Sequence, residues 1–431
     1  MKDLDEKKTY IFGKILAVVL VIYAFGVTYI SGSLVSVPNV HTYVLVPISA
    51  FAAFCLIYYL RDGMRLTTGI IPILIYGLYV SVRYFMEGTQ NMPAIWLCMI
   101  IVILISGEVE LHKVFPFKLV LILGYLQFAG MLVQILFPGF YYENLAVMFV
   151  GNESIVEWSE HYGFSGFMFQ VGFASLSLIF AEGYCISEAF NCYENRKKRI
   201  VFLLQAILFI IAICLTGKRG TFAIAMIIPI LILIIDKRTR KAGILILVSG
   251  LLIVSISIFL LYRFNSLLEG KYLVGRLSDT VVEILNGQDF SSERFFLWGK
   301  ALEIFNEHPL FGTGMHTYWF YSGTGMDPHN TYLETLSEQG IIGFTLLLVS
   351  IIWCFVSSIQ LKNKDSRTVS SAVSFALFIQ LEQILDSFVE NSMTTNIIEL
   401  IMYLFAIAIL NSATVSQYSE RSSGVITVLK R

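Results

Sequence analysis

Residues 196–241 read RKKRIVFLLQAILFIIAICLTGKRGTFAIAMIIPILILIIDKRTRK. Two apolar runs, near 200–216 and 220–235, are joined by a turn of a few residues, and clustered cations flank both outer ends. Each run is close to the length that crosses a hydrocarbon core as a helix. A helix also satisfies its own backbone hydrogen bonds there. The stretch therefore predicts a helical hairpin in a membrane. Lys and Arg accumulate on the cytoplasmic side, so the basic ends face the cytoplasm. The turn Thr216-Gly217-Lys218-Arg219-Gly220 then faces outward, and it carries two cations where few are expected. Two cations in a turn too short to snorkel far point to an anion as ligand.

The rest of the chain fits the same solution. Of 431 residues, 56% are hydrophobic and only 14% charged, against roughly 25% charged in soluble domains. The net charge of −1 offers no basic field for nucleic acid. Apolar runs lie near 11–30, 43–60, 67–82, 92–106, 117–137, 164–186, 200–216, 220–235, 242–262, 341–360, 370–387 and 394–411. The fold class is therefore an all-α polytopic membrane protein with about twelve transmembrane helices. The run near 11–30 is too long for a signal peptide's apolar region and reads as a retained first helix.

Alternate turns hold most of the cations, including Arg61, Arg65, Lys113, Lys118, Lys362 and Lys364; the opposite set holds only Arg83, Lys218, Arg219, Arg263, Lys271, Arg276, Arg294 and Lys300. Both termini are thus expected in the cytoplasm, with an outward-facing loop over 263–340. The organisation follows as helices one to nine over 1–262, the loop over 263–340, and helices ten to twelve with a cytoplasmic tail over 341–431. Six cysteines without a CxxC pair indicate neither disulfide framework nor zinc site.

The loop is too long for a plain connection. Ser292 is placed to cap a helix running to about His308, with Pro309 as its stop. Phe295, Trp298, Leu302 and Phe305 share one face of it, suited to lying along the membrane surface. Gly312 and Gly314 mark a turn, and Asp327-Pro328 predicts a second helix that carries His329 in its first turn and ends near Gly340.

Outside the plasma membrane there is no supply of nucleotide sugars, so glycosyl transfer there needs a donor that carries its own activation. A sugar on a lipid diphosphate is such a donor. Breaking its anomeric bond builds negative charge on the diphosphate, which guanidinium groups stabilise bidentately. The acceptor hydroxyl needs a base, and a neutral imidazole is the usual one. No Asp-x-Asp or His-Glu-x-x-His motif suggests a metal.

The stretch Arg294-x-x-x-Trp298, Pro309-Leu310-Phe311-Gly312-Thr313-Gly314, His329-Asn330-x-Tyr332-Leu333-Glu334 and Glu338-x-Gly340-Ile341-Ile342-Gly343 resembles the signature of the O-antigen ligase and polymerase superfamily. The Thr216–Gly220 turn is similar to that family's upstream Arg motif, with Lys218 where Ser is common. The resemblance covers about residues 200–345. It implies an architecture like the C-class membrane glycosyltransferases. It further implies that Arg219 and Arg294 grip the donor diphosphate, while Lys218 reads either as an aid in binding that diphosphate or as an ordinary headgroup contact. His329 would activate the acceptor in a metal-independent, cofactor-free, inverting transfer. Asn330 and Glu334 read equally as supports for His329 or as surface residues.

The leading expectation is a Wzy-type polysaccharide polymerase acting on polyprenyl-diphosphate-linked oligosaccharide at the plasma membrane. A flippase and a chain-length regulator would be its partners. An O-antigen ligase or a protein oligosaccharyltransferase would need the same Arg, Arg and His set. A flippase or other transporter would instead line its bundle with charge at all depths, whereas here the middles of most spans are bare.

Overall fold

The predicted helical hairpin forms over residues 196–235. Helices Arg196–Leu215 and Arg219–Ile235 are separated only by Thr216, Gly217 and Lys218. The computed structural model describes residues 2–33, 40–60, 64–87, 92–146, 163–192, 195–236, 239–241, 243–245, 281–287, 293–364, 370–391, 393, 396–418 and 425–428. Most of the span predicted near 242–262, the residues Arg263, Lys271 and Arg276, and the predicted cap Ser292 lie outside them.

In chain order the principal elements are α1 (Lys2–Ser33), α2 (Val40–Leu60), β1 (Met64–Thr67), α3 (Ile71–Glu87), α4 (Met92–Ile105), α5 (Phe117–Leu136) and α6 (Val171–Asn191). They continue with α7 (Arg196–Leu215), α8 (Arg219–Ile235), α9 (Arg294–Glu307), α10 (Thr331–Lys364), α11 (Ser370–Asp386), α12 (Ile397–Tyr418) and β2 (Val425–Val428). Among the described residues seven helical stretches are long and apolar enough to cross a membrane, and Tyr10–Gly26, Met92–Ile105 and Arg219–Ile235 are shorter apolar helices. The chain is a polytopic helical membrane protein. One feature departs from the all-α expectation: β1 and β2 pair antiparallel, Met64 opposite Val428 and Thr67 opposite Val425. Each strand is only four residues long, too short for alternation to separate it from a turn or tail.

Two compact units divide the chain. The first comprises Met1–Val27, Val37–Phe117 and Phe296–Arg431. Its centre is α12, which is apolar on every side and correspondingly buried on every side from Ile398 to Ala413. α4 and α11 pack against it. The faces of α2 and α3 that point away from this core keep Val46, Ile57, Ile75 and Val82 exposed, an apolar surface of the kind that meets lipid.

The second unit comprises Thr28–Ser36 and Lys118–Phe295. Gly124 of α5 lets Ala181 of α6 approach so closely that a Cβ there would stand 2.3 Å from the alanine methyl. Two buried glutamines of α5 fasten the irregular segment before α6. Gln127 donates to Ser165 O at 2.7 Å and accepts from Met168 N at 3.1 Å. Gln134 accepts from the Ser165 and Gly166 amides, each at 2.9 Å. Non-helical backbone inside a membrane protein needs such partners, because no water replaces them.

Candidate active site

In the second unit the turn between α7 and α8 is built by Thr216 and Gly217. Thr216 is fully buried, donates its hydroxyl to Ile213 O at 2.7 Å and receives Lys218 N at 3.3 Å. Gly217 takes φ 72°, open mainly to glycine. Phe164 N bonds Leu215 O at 2.9 Å, and a Cβ on Gly163 would overlap Thr216 O at 2.3 Å, so the turn is pinned from the side. Lys218 is the N-cap of α8 and Arg219 its first residue. The Lys218 side chain also runs past Gly172 in the first turn of α6, where a Cβ would meet Cε at 3.5 Å and Nζ at 3.6 Å. Both cations thus sit at the positive end of a helix. The helix dipole and two cationic side chains together favour an anion. Arg294 opens α9 and also belongs to this unit.

His329, Asn330 and Glu334 lie together in the first unit. The helix predicted from Asp327 begins instead at Thr331. Asn330 is the effective cap: its Oδ1 accepts from Leu333 N at 3.0 Å. Asp327 precedes a proline, which biases it away from helical geometry. His329 therefore stands two residues before the helix rather than in its first turn, at φ 48°, a left-handed conformation uncommon outside glycine. The flanking bonds hold it there. Asn330 N donates to Asn391 Oδ1 at 2.8 Å, and Thr331 N donates to Ser387 O and Glu390 O at 2.9 and 3.1 Å. Thr331 Oγ1 adds a bond to Glu390 O at 3.0 Å. The turn after α11 so supplies amide partners that the start of α10 cannot find within itself.

The imidazole stays half-exposed, and its Nδ1 lies 3.3 Å from Glu390 Oε2. On the side before it, Trp298 Nε1 donates to Pro328 O at 3.0 Å. The surface reading of Asn330 and Glu334 is overturned: both are buried, Glu334 completely.

The glycine turn behaves as a brace for this corner. Gly312 and Gly314 donate to His308 O and Glu338 O at 3.0 and 2.9 Å. The predicted break at Gly340 occurs as a kink inside α10, at φ 64° and ψ −166°. A Cβ on Gly340 would stand 2.4 Å from Leu310 C and O. Glu338 accepts from the His316 and Tyr318 amides, both at 2.9 Å. From α3, Arg83 donates to Phe311 O at 3.0 Å and Glu87 accepts from Met315 N. His316 bonds Tyr84 OH through Nε2 at 3.1 Å, and burial pushes its imidazole below the usual histidine range. It serves as a strut, as does Tyr318, which is fully buried and bonds Leu297 O at 2.7 Å.

The predicted apolar face of α9 is displaced. Leu297, Ala301 and Ile304 are the buried positions, with Ala301 and Ile304 packed on Tyr318 and Leu333. Phe295 and Leu302 are exposed and Trp298 and Phe305 only partly covered. The helix carries two apolar stripes, and helical spacing alone does not say which one the protein covers. Sequence reasoning also missed Glu390 and Asn391. The available signal was a carboxylate and an amide in the short turn 388–393, on the same predicted side as His329.

Residues 204–348 match the family model described as O-antigen ligase. ExoQ, an exopolysaccharide production protein of Rhizobium meliloti (strain 1021), is 29% identical over 99 residues, 20% of this chain and 23% of that one. An O-antigen polymerase of Salmonella muenchen is 24% identical over 182 residues, 40% and 42% of the two chains. A Haemophilus influenzae protein of uncharacterised role is 23% identical over 195 residues, 41% and 48%. The chain thus spans less than half the length of each of these curated relatives. The resemblance to the O-antigen ligase and polymerase superfamily is borne out over the stretch that carries both motifs.

Proposed function

We propose that the protein transfers a glycan from a polyprenyl-diphosphate lipid at the outer face of the plasma membrane, polymerising oligosaccharide repeat units into a surface polysaccharide. The observation that carries this reading is one family match, 204–348, that takes in the Lys218–Arg219 helix start, Arg294 and the His329 turn. The relatives named for exopolysaccharide production and O-antigen polymerisation favour polymer growth over transfer to a new carrier. Residues 263–340 form the outward loop, with 1–262 and 341–431 as membrane segments and both termini in the cytoplasm.

In this mechanism Arg219 and Arg294 bind the diphosphate oxygens of the growing chain on its lipid, and Lys218 adds charge. His329 removes the proton from a hydroxyl of the incoming unit. That oxygen attacks the anomeric carbon, and the bond to the diphosphate breaks with its electron pair passing to the leaving oxygen. The configuration inverts, and no metal or cofactor enters. Asn330 and Glu334 support the turn that presents His329. A flippase supplies the incoming lipid-linked unit, and a chain-length regulator acts on the product.

The description of the matching family favours a second reading, an O-antigen ligase that delivers finished glycan to another lipid; a protein acceptor would make it an oligosaccharyltransferase. The acceptor that supports turnover separates these three. The diphosphate grip is tested by Arg294→Lys, which keeps the charge and loses the planar fork. Severe loss of polymer at normal membrane levels supports it, and full activity counts against it.

A further inference from the structure

We propose that Glu390, in the turn after α11, is a positioning residue for His329, holding its Nδ1–H so that Nε2 is the atom that takes the proton. This rests on the reading of His329 as the base. Glu390 Oε2 lies 3.3 Å from His329 Nδ1, and the two side chains are 30% and 43% exposed. A carboxylate only accepts, so the nitrogen facing it carries hydrogen, and the neutral imidazole's lone pair is then on Nε2. When Nε2 receives the hydroxyl proton, the ring becomes an imidazolium with an anion already beside it.

The backbone around the pair makes the placement specific. Glu390 is held through its own carbonyl, which accepts from Thr331 N and Oγ1 at 3.1 and 3.0 Å. Its amide donates to Asp386 O at 2.8 Å. The next residue, Asn391, holds Asn330 N at 2.8 Å. Tyr332 OH reaches Ile384 O at 3.0 Å from the α10 side. None of these bonds uses the Glu390 carboxylate. The turn is therefore stitched to the start of α10 whether or not that side chain is charged. Its carboxylate is placed against a histidine whose own backbone is held at φ 48°. A base supported this way by a carboxylate follows the general logic of oriented imidazoles in catalysis.

The separation of backbone and side chain makes the test clean. Wild type, Glu390→Gln, Glu390→Asp and His329→Ala are purified as full chains and reconstituted with a lipid-diphosphate-linked repeat unit. Initial rates are measured against its concentration. Because the pair is partly open to water, Glu390→Gln is expected to lower kcat by about 10- to 100-fold, less than loss of a buried triad carboxylate. KM for the repeat unit and membrane levels should stay within about twofold. Glu390→Asp should recover part of the rate, since it restores the charge on a shorter arm. A wild-type kcat in Glu390→Gln beside an inactive His329→Ala overturns the positioning role and leaves the base assignment intact. A loss in Glu390→Gln that falls on KM or protein level, with no recovery in Glu390→Asp, also overturns it. An active His329→Ala would instead remove the base assignment itself.

Discussion

His329 and Glu390 are neighbours in space but 61 residues apart in the chain, and that separation explains what was readable. His329 stood out because its motif is local. Its carboxylate partner did not, because the pairing depends on how the turn after α11 folds over the start of α10. Lys218 and Arg219 stood out from position alone, as two cations in a short turn between apolar runs. Under the proposed mechanism, Arg219→Lys retains the charge at the start of α8 but not the bidentate geometry. Polymer yield is expected to fall on the order of 100-fold with the protein still in the membrane, measured by quantifying polysaccharide beside immunoblots. An unchanged yield would remove Arg219 from the diphosphate grip. His316 gives a different forecast. Burial favours its neutral form in the fold, so acid protonates the unfolded chain first. The contribution is complete above the unfolded value near 6.5 and is lost as pH falls below it. Wild type should therefore lose more of its stability advantage over His316→Asn at about pH 5 than at neutral pH, read by thermal unfolding in detergent. An advantage that does not shrink would contradict this.

At the scale of elements, the sequence reads best where a residue type has one structural use. Gly340 lies where α10 must break, and the turn at Leu310 packs so tightly against it that no Cβ fits. Gly340→Ala should cost about 1–3 kcal/mol in backbone strain alone, before the overlap with Leu310 is relieved. It should reduce folded protein in the membrane; a stable, fully active variant would mean that the brace is dispensable. α9 shows the limit. Its helical period was legible, but the covered stripe was not, because Phe295 and Leu302 are as apolar as Leu297 and Ile304. What decides is Tyr318, whose ring and hydroxyl engage the Leu297 side of the helix. The start of α10 was misplaced for a related reason: Asp327 and Asn330 are both good caps, and only the bonds from Ser387, Glu390 and Asn391 select the later one. Trp298→Phe keeps an aromatic side chain and removes the bond to Pro328 O. About 1 kcal/mol of local support is lost, and a several-fold fall in turnover with normal folding is expected from steady-state rates. No change would show that this bond does not govern His329.

Across the whole molecule, hydropathy alone conveyed the membrane class, because a helix is the only open element that satisfies its backbone in lipid. The short β1–β2 ribbon was invisible to it. So was the burial of α12 at the centre of the first unit, since a run apolar on all sides looks the same facing lipid or protein. The central claim concerns what the assembled protein does, and one experiment addresses it directly. The purified full chain is reconstituted with a lipid-diphosphate-linked repeat unit in the presence of a chelator, and wild type is compared with His329→Ala. The account predicts a ladder of longer products from wild type and none from the variant. A ladder of equal length and yield from His329→Ala would contradict it, as would wild-type transfer that occurs only when a second acceptor lipid or a protein is supplied.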